Sequence, residues 1–172
     1  MDVYLLVVRA LHIAAGVFWV GSAFFVFFLL EPTVNALGPQ AGPVMAHLTK
    51  KRKMPIAIVG ASALTILAGF LLYWRSSGGF EVDWITSPVG LGFTIGAVAA
   101  IVAFVLGFTM IKPVADRMGA LGDEVERSGG PPSPEQVAEL QSLQHRLRAV
   151  GRVDTVLLGI ALLLMATARY LD

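Results

Sequence analysis

The chain contains no cysteine, and this absence removes several chemistries from consideration at once. Without thiols there are no disulfides, no thiolate metal sites and no covalent attachment of a c-type haem through Cys-x-x-Cys-His. Charged residues are also scarce, at 15% of the 172 residues, whereas soluble domains carry about 25%. The formal net charge of +1 gives no basis for a nucleic-acid partner.

Apolar sequence, by contrast, is abundant, with 56% hydrophobic residues and a mean hydropathy of +0.73. Runs of about 20 apolar residues are typical of membrane-spanning helices, and the sequence contains four of them. They cover residues of about 4–30, 55–74, 89–111 and 153–170. The sequence therefore predicts an all-α protein, a four-helix bundle in the lipid bilayer that forms a single domain.

Spans three and four are separated by two amphipathic stretches with the Gly/Pro-rich sequence SGGPPSP between them. Apolar residues recur there at helical spacing, so we expect a cytoplasmic helical hairpin over about residues 113–152 that extends both spans. Ser133 and Gln136 have the spacing of a capping box for its second arm. We expect the first helix to end at Glu31-Pro32, because proline disfavours helix in the residue before it.

Basic residues indicate which ends of the spans face the cytoplasm. They concentrate at residues 50–53, between spans one and two, and in the hairpin between spans three and four. The opposite side has only Arg9, Arg75 and Arg169. Because basic loops stay in the cytoplasm, we expect an inner-membrane protein of a bacterial-type cell with both termini outside.

His12 is an ionisable residue inside the first predicted span, where such side chains are costly and therefore suggest a function. On a helix it shares a face with Gly16, which would leave room beside the imidazole for a flat group. Imidazole is a common haem ligand, so His12 is a candidate axial ligand of haem b. The alternative is a histidine that hydrogen-bonds to a neighbouring helix or faces a water pocket.

The three arginines Arg9, Arg75 and Arg169 lie on the same side of the membrane as His12 and could bind the propionates of a haem. Snorkelling to lipid headgroups is the alternative, and it suits Arg169 best. Met165 lies at a similar depth in span four and is a candidate second axial ligand, although ordinary packing is the simpler interpretation. A five-coordinate haem, or a ligand from another subunit, is equally open.

A second site is conceivable at the opposite membrane face, where His47 and Glu31 could bind a metal together with Asp116 or Asp154. Such nitrogen and oxygen ligands suit zinc, copper or iron. Their spacing matches no metal motif, so an interfacial His47 is the simpler interpretation. Asp154 also stands at the predicted start of span four, where a carboxylate favours the helix dipole. We interpret His145 as part of a solvated helix face.

Three stretches resemble a group of small bacterial membrane proteins. The first is LHIAAGVFWVG, with His12, Trp19 and Gly21, which resembles the first span of the copper-resistance D (CopD) membrane domain and of HemJ-type protoporphyrinogen oxidase. The others are TKKRKMPIAIVGASALTILAGFLLYW and RLRAVGRVDTVLLGIALLLMATARYL, which look like the HemJ-type second and last spans. The resemblance implies a four-helix membrane bundle with haem b on His12 and, through CopD, copper handling. HemJ-type proteins carry a lysine in the third span, and its absence between Gly90 and Ile111 weighs against protoporphyrinogen oxidase activity.

Three functions follow as hypotheses. The first is a haem-b-binding membrane protein, redox-active or haem-handling, with a quinone or another membrane redox partner; an oxidoreductase activity stays open. The second is a protein of the transport or resistance class that handles copper or another divalent metal through His47, Glu31 and His12. The third is a non-catalytic assembly factor whose hairpin docks a partner. Gly-rich spans are compatible with a homo-oligomer, but they serve packing within one chain equally well.

Overall fold

The computed structural model describes residues 3–171, with only the backbone described at Pro39, and every long element in that range is helical. The α-helices are α1 Val3–Phe25, α2 Glu31–Leu37, α3 Gly42–Ala46, α4 Met54–Ser76, α5 Val82–Thr86, α6 Pro88–Leu106, α7 Lys112–Ser128 and α8 Pro134–Thr167. Between them lie π-helical turns at Val26–Leu30, His47–Lys51 and Gly107–Ile111, and 3-10 turns at Gly38–Ala41 and Ala168–Tyr170. The all-α prediction is confirmed.

Four continuous helical runs are long and apolar enough, by length and composition, to cross a membrane. They are Val3–Leu37, Met54–Ser76, Pro88–Ser128 and Pro134–Tyr170. Large apolar side chains point away from the bundle, as at Val17, Leu67 and Leu163, each 66% exposed. Side chains of this kind on three different helices favour an apolar surrounding, which is consistent with a multi-pass membrane protein.

The first long helix does not end at Pro32, so that prediction is wrong. A π-helical turn, Val26–Leu30, precedes the proline, and Pro32 then lies in the first turn of α2, which continues to Leu37. Proline lacks a backbone donor and clashes with the preceding turn of an α-helix, whereas the wider hydrogen-bond spacing of a π turn lets the chain continue. The same arrangement recurs before Pro113, where the turn Gly107–Ile111 precedes α7.

The four long helices form a ring in which α1 packs mainly on α4, and α6 packs mainly on α8. Smaller contacts between α1 and α8, and between α4 and α6, close the ring. Trp19, Ala103 and Leu158 form a buried core, and Trp19 meets Phe104 edge-on with ring centroids 6.4 Å apart. This core joins α1, α6 and α8 near the middle of the bundle.

Small residues bring α6 and α8 together. A Cβ at Gly92 would come 2.9 Å from the Cβ of Ala168, and a Cβ at Gly96 would come 3.3 Å from that of Leu164. Close approach of backbones is a main source of helix association in lipid. These glycines of the third span therefore serve packing within the chain.

The predicted hairpin is present, since α7 continues α6 and packs against α8. The capping box is confirmed: the Ser133 hydroxyl accepts from the backbone N–H of Gln136, whose side chain accepts from the backbone N–H of Ser133. Arg117 on α7 donates two hydrogen bonds, of 2.6 and 2.9 Å, to Glu139 on α8. We call the end of the bundle that carries α7 the hairpin end, and the opposite end, where α1 begins, the termini end.

Candidate functional site

His12 lies on the face of α1 that also carries the buried residues Val8, Ala15 and Trp19. Its ring nitrogen Nδ1 is 2.9 Å from the backbone carbonyl oxygen of Thr65 on α4. A carbonyl oxygen can only accept, so Nδ1 carries the hydrogen of this bond. In the neutral ring Nε2 then keeps its lone pair, and no residue within 3–171 hydrogen-bonds to it.

The close approach of His12 to α4 depends on Gly69. A Cβ at that position would lie 2.9 Å from Cε1 and 3.1 Å from Nδ1 of the imidazole. Glycine therefore lets the ring reach the carbonyl of Thr65, one turn earlier on α4. Neither Thr65 nor Gly69 could be recognised as part of the site from the sequence. A threonine and a glycine four residues apart are common in helices, and their role here depends on which face of α4 contacts α1.

Gly16 does not leave the room that its position beside His12 suggested. A Cβ at Gly16 would lie 3.5 Å from the methyl carbon Cγ2 of Thr65, which is an ordinary packing distance. The hydroxyl of the same threonine donates to the carbonyl of Ala61 at 2.8 Å, and this bond fixes the side chain. Thr65 thus fills the place beside Gly16 that a flat group was expected to use.

The three arginines Arg9, Arg75 and Arg169 lie at the termini end, on α1, α4 and the turn after α8, and all are exposed. Within residues 3–171 none of them pairs with a carboxylate. Arg169 lies over the ring of Tyr170, with its guanidinium carbon 5.9 Å from the ring centroid. The guanidinium groups at this end can therefore bind carboxylates or phosphates from outside the chain.

The side chain of Met165 packs against α6, because its terminal methyl carbon lies 3.4 Å from the position that a Cβ on Gly96 would take. The side chain of His12 contacts α4 instead, through its hydrogen bond to Thr65. The two candidate axial ligands thus contact different neighbours in the ring of helices, and packing against Gly96 accounts for the position of Met165.

Glu31 and His47 lie in different surroundings. The carboxylate of Glu31 accepts a hydrogen bond of 2.6 Å from Nε of Arg148, whereas His47 is exposed in the π turn before α4. Asp116 is also paired, with Lys112 at 2.5 Å. In the part of the chain that the structure describes, no three His, Asp or Glu side chains are grouped closely enough to hold a metal ion.

The basic segment before the second span is tied to the hairpin. Lys50 donates a hydrogen bond to Asp123 on α7, and this bond raises the pKa of Lys50 above its ordinary value. Glu126, one turn along α7, lies 3.8 Å from the same ammonium group. The segment therefore holds the loop between the first two spans against α7, in addition to carrying the charge expected of a cytoplasmic loop.

Sequence reasoning also missed a cavity of about 250 Å³ between the four long helices, in the hairpin half of the bundle. Its wall includes Trp19, Phe104 and Asp154. Asp154 is 7% exposed, and its Oδ1 has no hydrogen-bond partner among the described residues. The helix-dipole interpretation of Asp154 is wrong, because α8 begins at Pro134, twenty residues earlier. The only signal in the sequence was an acid at the edge of an apolar run.

Comparisons of the chain with family models, with curated proteins and with solved structures found no match. The resemblance to CopD-like and HemJ-type proteins therefore continues to depend on the three sequence stretches that suggested it.

Proposed function

We propose that this protein binds haem b in the membrane, with Nε2 of His12 as an axial ligand. The observation that carries the proposal is the hydrogen bond of 2.9 Å from Nδ1 of His12 to the carbonyl oxygen of Thr65. Metal-binding histidines commonly donate their other ring N–H to a carbonyl or carboxylate, which fixes the tautomer and the ring orientation. The nitrogen that remains is the one that ligates iron in haem proteins with a histidine ligand.

The lone pair of His12 and the arginines of the termini end support this proposal, whereas the cavity of the hairpin half has no part in it. His12 does not line that cavity, and Trp19, which does, is seven residues or about 10 Å further along α1. Arg9, Arg75 and Arg169 are available to the two propionates, because guanidinium groups bind carboxylates well.

Haem b supplies one-electron chemistry when bound, and a quinone or another membrane redox partner would exchange electrons with it. The residues of this chain hold the ligand in position. Thr65 keeps the hydrogen on Nδ1 of His12, and Gly69 admits the ring between α1 and α4.

We further propose that the hairpin end faces the cytoplasm and the termini end faces outward, since basic residues concentrate at the hairpin end. The natural absence of cysteine allows a direct test with single cysteines. Ser76→Cys and Ser128→Cys replace exposed residues at the two ends. In intact cells a membrane-impermeant maleimide should label only the first, and labelling of only the second would reverse the topology.

Absorption spectra of the purified protein, oxidised and dithionite-reduced, test the haem proposal. We expect a Soret band in the wild type and its loss in His12→Ala. His47→Ala and His145→Ala are the matched controls, because both side chains are exposed, and they should keep the band. A wild type that stays colourless after reconstitution with haem, or a His12→Ala variant with the wild-type spectrum, would overturn the proposal.

Copper or another divalent metal as cargo has less support from the geometry, because Glu31 is paired with Arg148 and His47 stands apart from it. Metal analysis of the wild type and of His47→Ala distinguishes this alternative. A docking role for the hairpin predicts that deletion of residues 114–150 abolishes function while haem content stays unchanged.

A further inference from the structure

The cavity in the hairpin half is bounded by all four long helices. Its volume of about 250 Å³ lies just below the roughly 300–1,000 Å³ of typical small-molecule sites. Most of the residues in its wall are apolar, and they include Trp19, Phe104, Met45 and Met54. An occupant would therefore be small and largely apolar.

Asp154 is the charged group of this wall that has no partner among residues 3–171. It is 7% exposed, it lines the cavity, and its Oδ1 is fully buried without a donor from the described residues. Arg152, two residues earlier on α8, is exposed and lines a surface groove instead. Burial of an unpaired carboxylate is strongly unfavourable, so Asp154 either takes up a proton or gains from a donor outside the described chain, and a cation is the stronger such donor.

The hydroxyl groups of the wall do not supply this donor in the described structure. Ser62, Thr155 and Thr49 donate to carbonyl oxygens of their own helical segments at 2.9, 2.8 and 2.8 Å. Their oxygens keep lone pairs, so they act as acceptors toward the cavity. Ser22 makes no such bond in the described structure, and it makes none to Asp154 either.

The other charges around the cavity are already paired. Lys112 donates to Asp116 at 2.5 Å, and Arg148 donates to Glu31 at 2.6 Å. Asp116 and Glu31 therefore each have a cationic partner, whereas the described part of the chain provides none for Asp154. The wall is therefore mostly apolar, its polar groups are mainly hydrogen-bond acceptors, and the carboxylate of Asp154 lacks a positive counter-charge among the described residues.

We propose that this cavity binds a small organic cation, an ammonium group with at least one N–H on an apolar body. The ammonium binds the carboxylate of Asp154, and the apolar body packs against Trp19 and Phe104. An alkylammonium group donates hydrogen bonds and accepts none, which matches the carboxylate and hydroxyl oxygens of the wall, and its apolar body matches the aromatic rings. This site is separate from His12 and does not depend on haem binding there.

Other occupants match the wall less well. A metal ion needs several ligands at one point, and within residues 3–171 no three acidic or histidine side chains are grouped for one. An anion would be repelled by Asp154. Water would solvate the carboxylate and the hydroxyl oxygens, but it gains nothing from the apolar part of the wall around Trp19 and Phe104.

The test uses the full chain in lipid nanodiscs, with 2-phenylethylammonium as the probe and 2-phenylethanol as its uncharged match. Isothermal titration calorimetry, corrected with empty nanodiscs, gives the affinities. We expect saturable binding of the ammonium and at least about 30-fold weaker binding of the alcohol, because the buried charge pair is lost. Asp154→Asn should abolish this preference, whereas Asp116→Asn, at a carboxylate of the same wall that Lys112 already pairs, should retain it.

Equal affinities for the ammonium and the alcohol would overturn the proposal, and so would an Asp154→Asn variant that keeps the preference. Absence of saturable binding of the ammonium would overturn it as well. We expect Asp154→Asn to fold, because no described residue bonds to the carboxylate. If it does not, the comparison of the two probes on the wild type decides the question.

Discussion

Replacement of Gly69 by alanine tests how the imidazole of His12 is held. The new Cβ would lie 2.9 Å from Cε1 and 3.1 Å from Nδ1, where ordinary contacts are 3.4–4 Å. The ring cannot withdraw from α4 freely, because withdrawal lengthens the 2.9 Å hydrogen bond to the carbonyl of Thr65. Either α1 and α4 separate or the hydrogen bond breaks.

The expected loss is about 1–3 kcal/mol in the free energy of unfolding, the usual cost of overpacking a close contact. The interhelical hydrogen bond accounts for about 0.6 kcal/mol of it, the average for such bonds in membranes. Helix propensity contributes little, because separated helices stay helical in lipid. The matched control is Gly60→Ala on the same helix, where a Cβ meets nothing within 4 Å. Its effect should stay within about 0.5 kcal/mol.

The assay is reversible denaturant unfolding in mixed micelles for the wild type and both variants, followed by the fluorescence of the tryptophans, because Trp19 leaves the buried core when the helices separate. Spectra of the same samples after addition of haem provide a second measurement. The Soret band should weaken or shift in Gly69→Ala and not in Gly60→Ala. If the two variants are equally stable, α4 does not confine the ring of His12, and our account of this histidine fails.

Three further substitutions test other parts of the structure. Gly90→Ala places a Cβ 1.8 Å from the backbone oxygen of Trp84, so it should lower the thermal unfolding midpoint strongly, whereas Gly107→Ala, with nothing within 4 Å, should not. Ser133→Ala removes a helix cap worth about 1 kcal/mol, and hydrogen exchange should accelerate in the first turn of α8. Asp154→Asn should leave the unfolding midpoint unchanged or raise it, and a clear decrease would indicate a partner that our account of this carboxylate lacks.

Hydropathy was sufficient to predict the four long helices, because each apolar run is long enough to span a bilayer and ends in polar sequence. The prediction failed at Pro32, where the rule for proline describes an α-helix and no residue pattern announces a π turn. The capping box at Ser133 was predicted correctly, since its geometry depends only on residues close together in the chain.

The candidate site was only partly predictable, for a reason that its residues illustrate. His12 stands out because an imidazole in an apolar run is costly. Its hydrogen-bond partner is the backbone carbonyl oxygen of Thr65. Every residue has such an oxygen, so the residue type at position 65 does not indicate that it binds His12. The surroundings of Gly16 and of Asp154 depend on how four helices are placed against one another, and the sequence of one helix carries no local signal for that placement.

Chain length is not constrained equally along these helices. In most of α1 or α6 the deletion of one residue would rotate everything beyond it by about 100°, since an α-helix has 3.6 residues per turn. The π turns Val26–Leu30 and Gly107–Ile111 each hold an extra residue, so loss of that residue returns the turn to α-helical spacing, provided that the proline after it is replaced as well. Loss of the one extra residue, together with replacement of Pro32 or Pro113, is therefore a change of chain length that does not rotate the hairpin end relative to the core around Trp19.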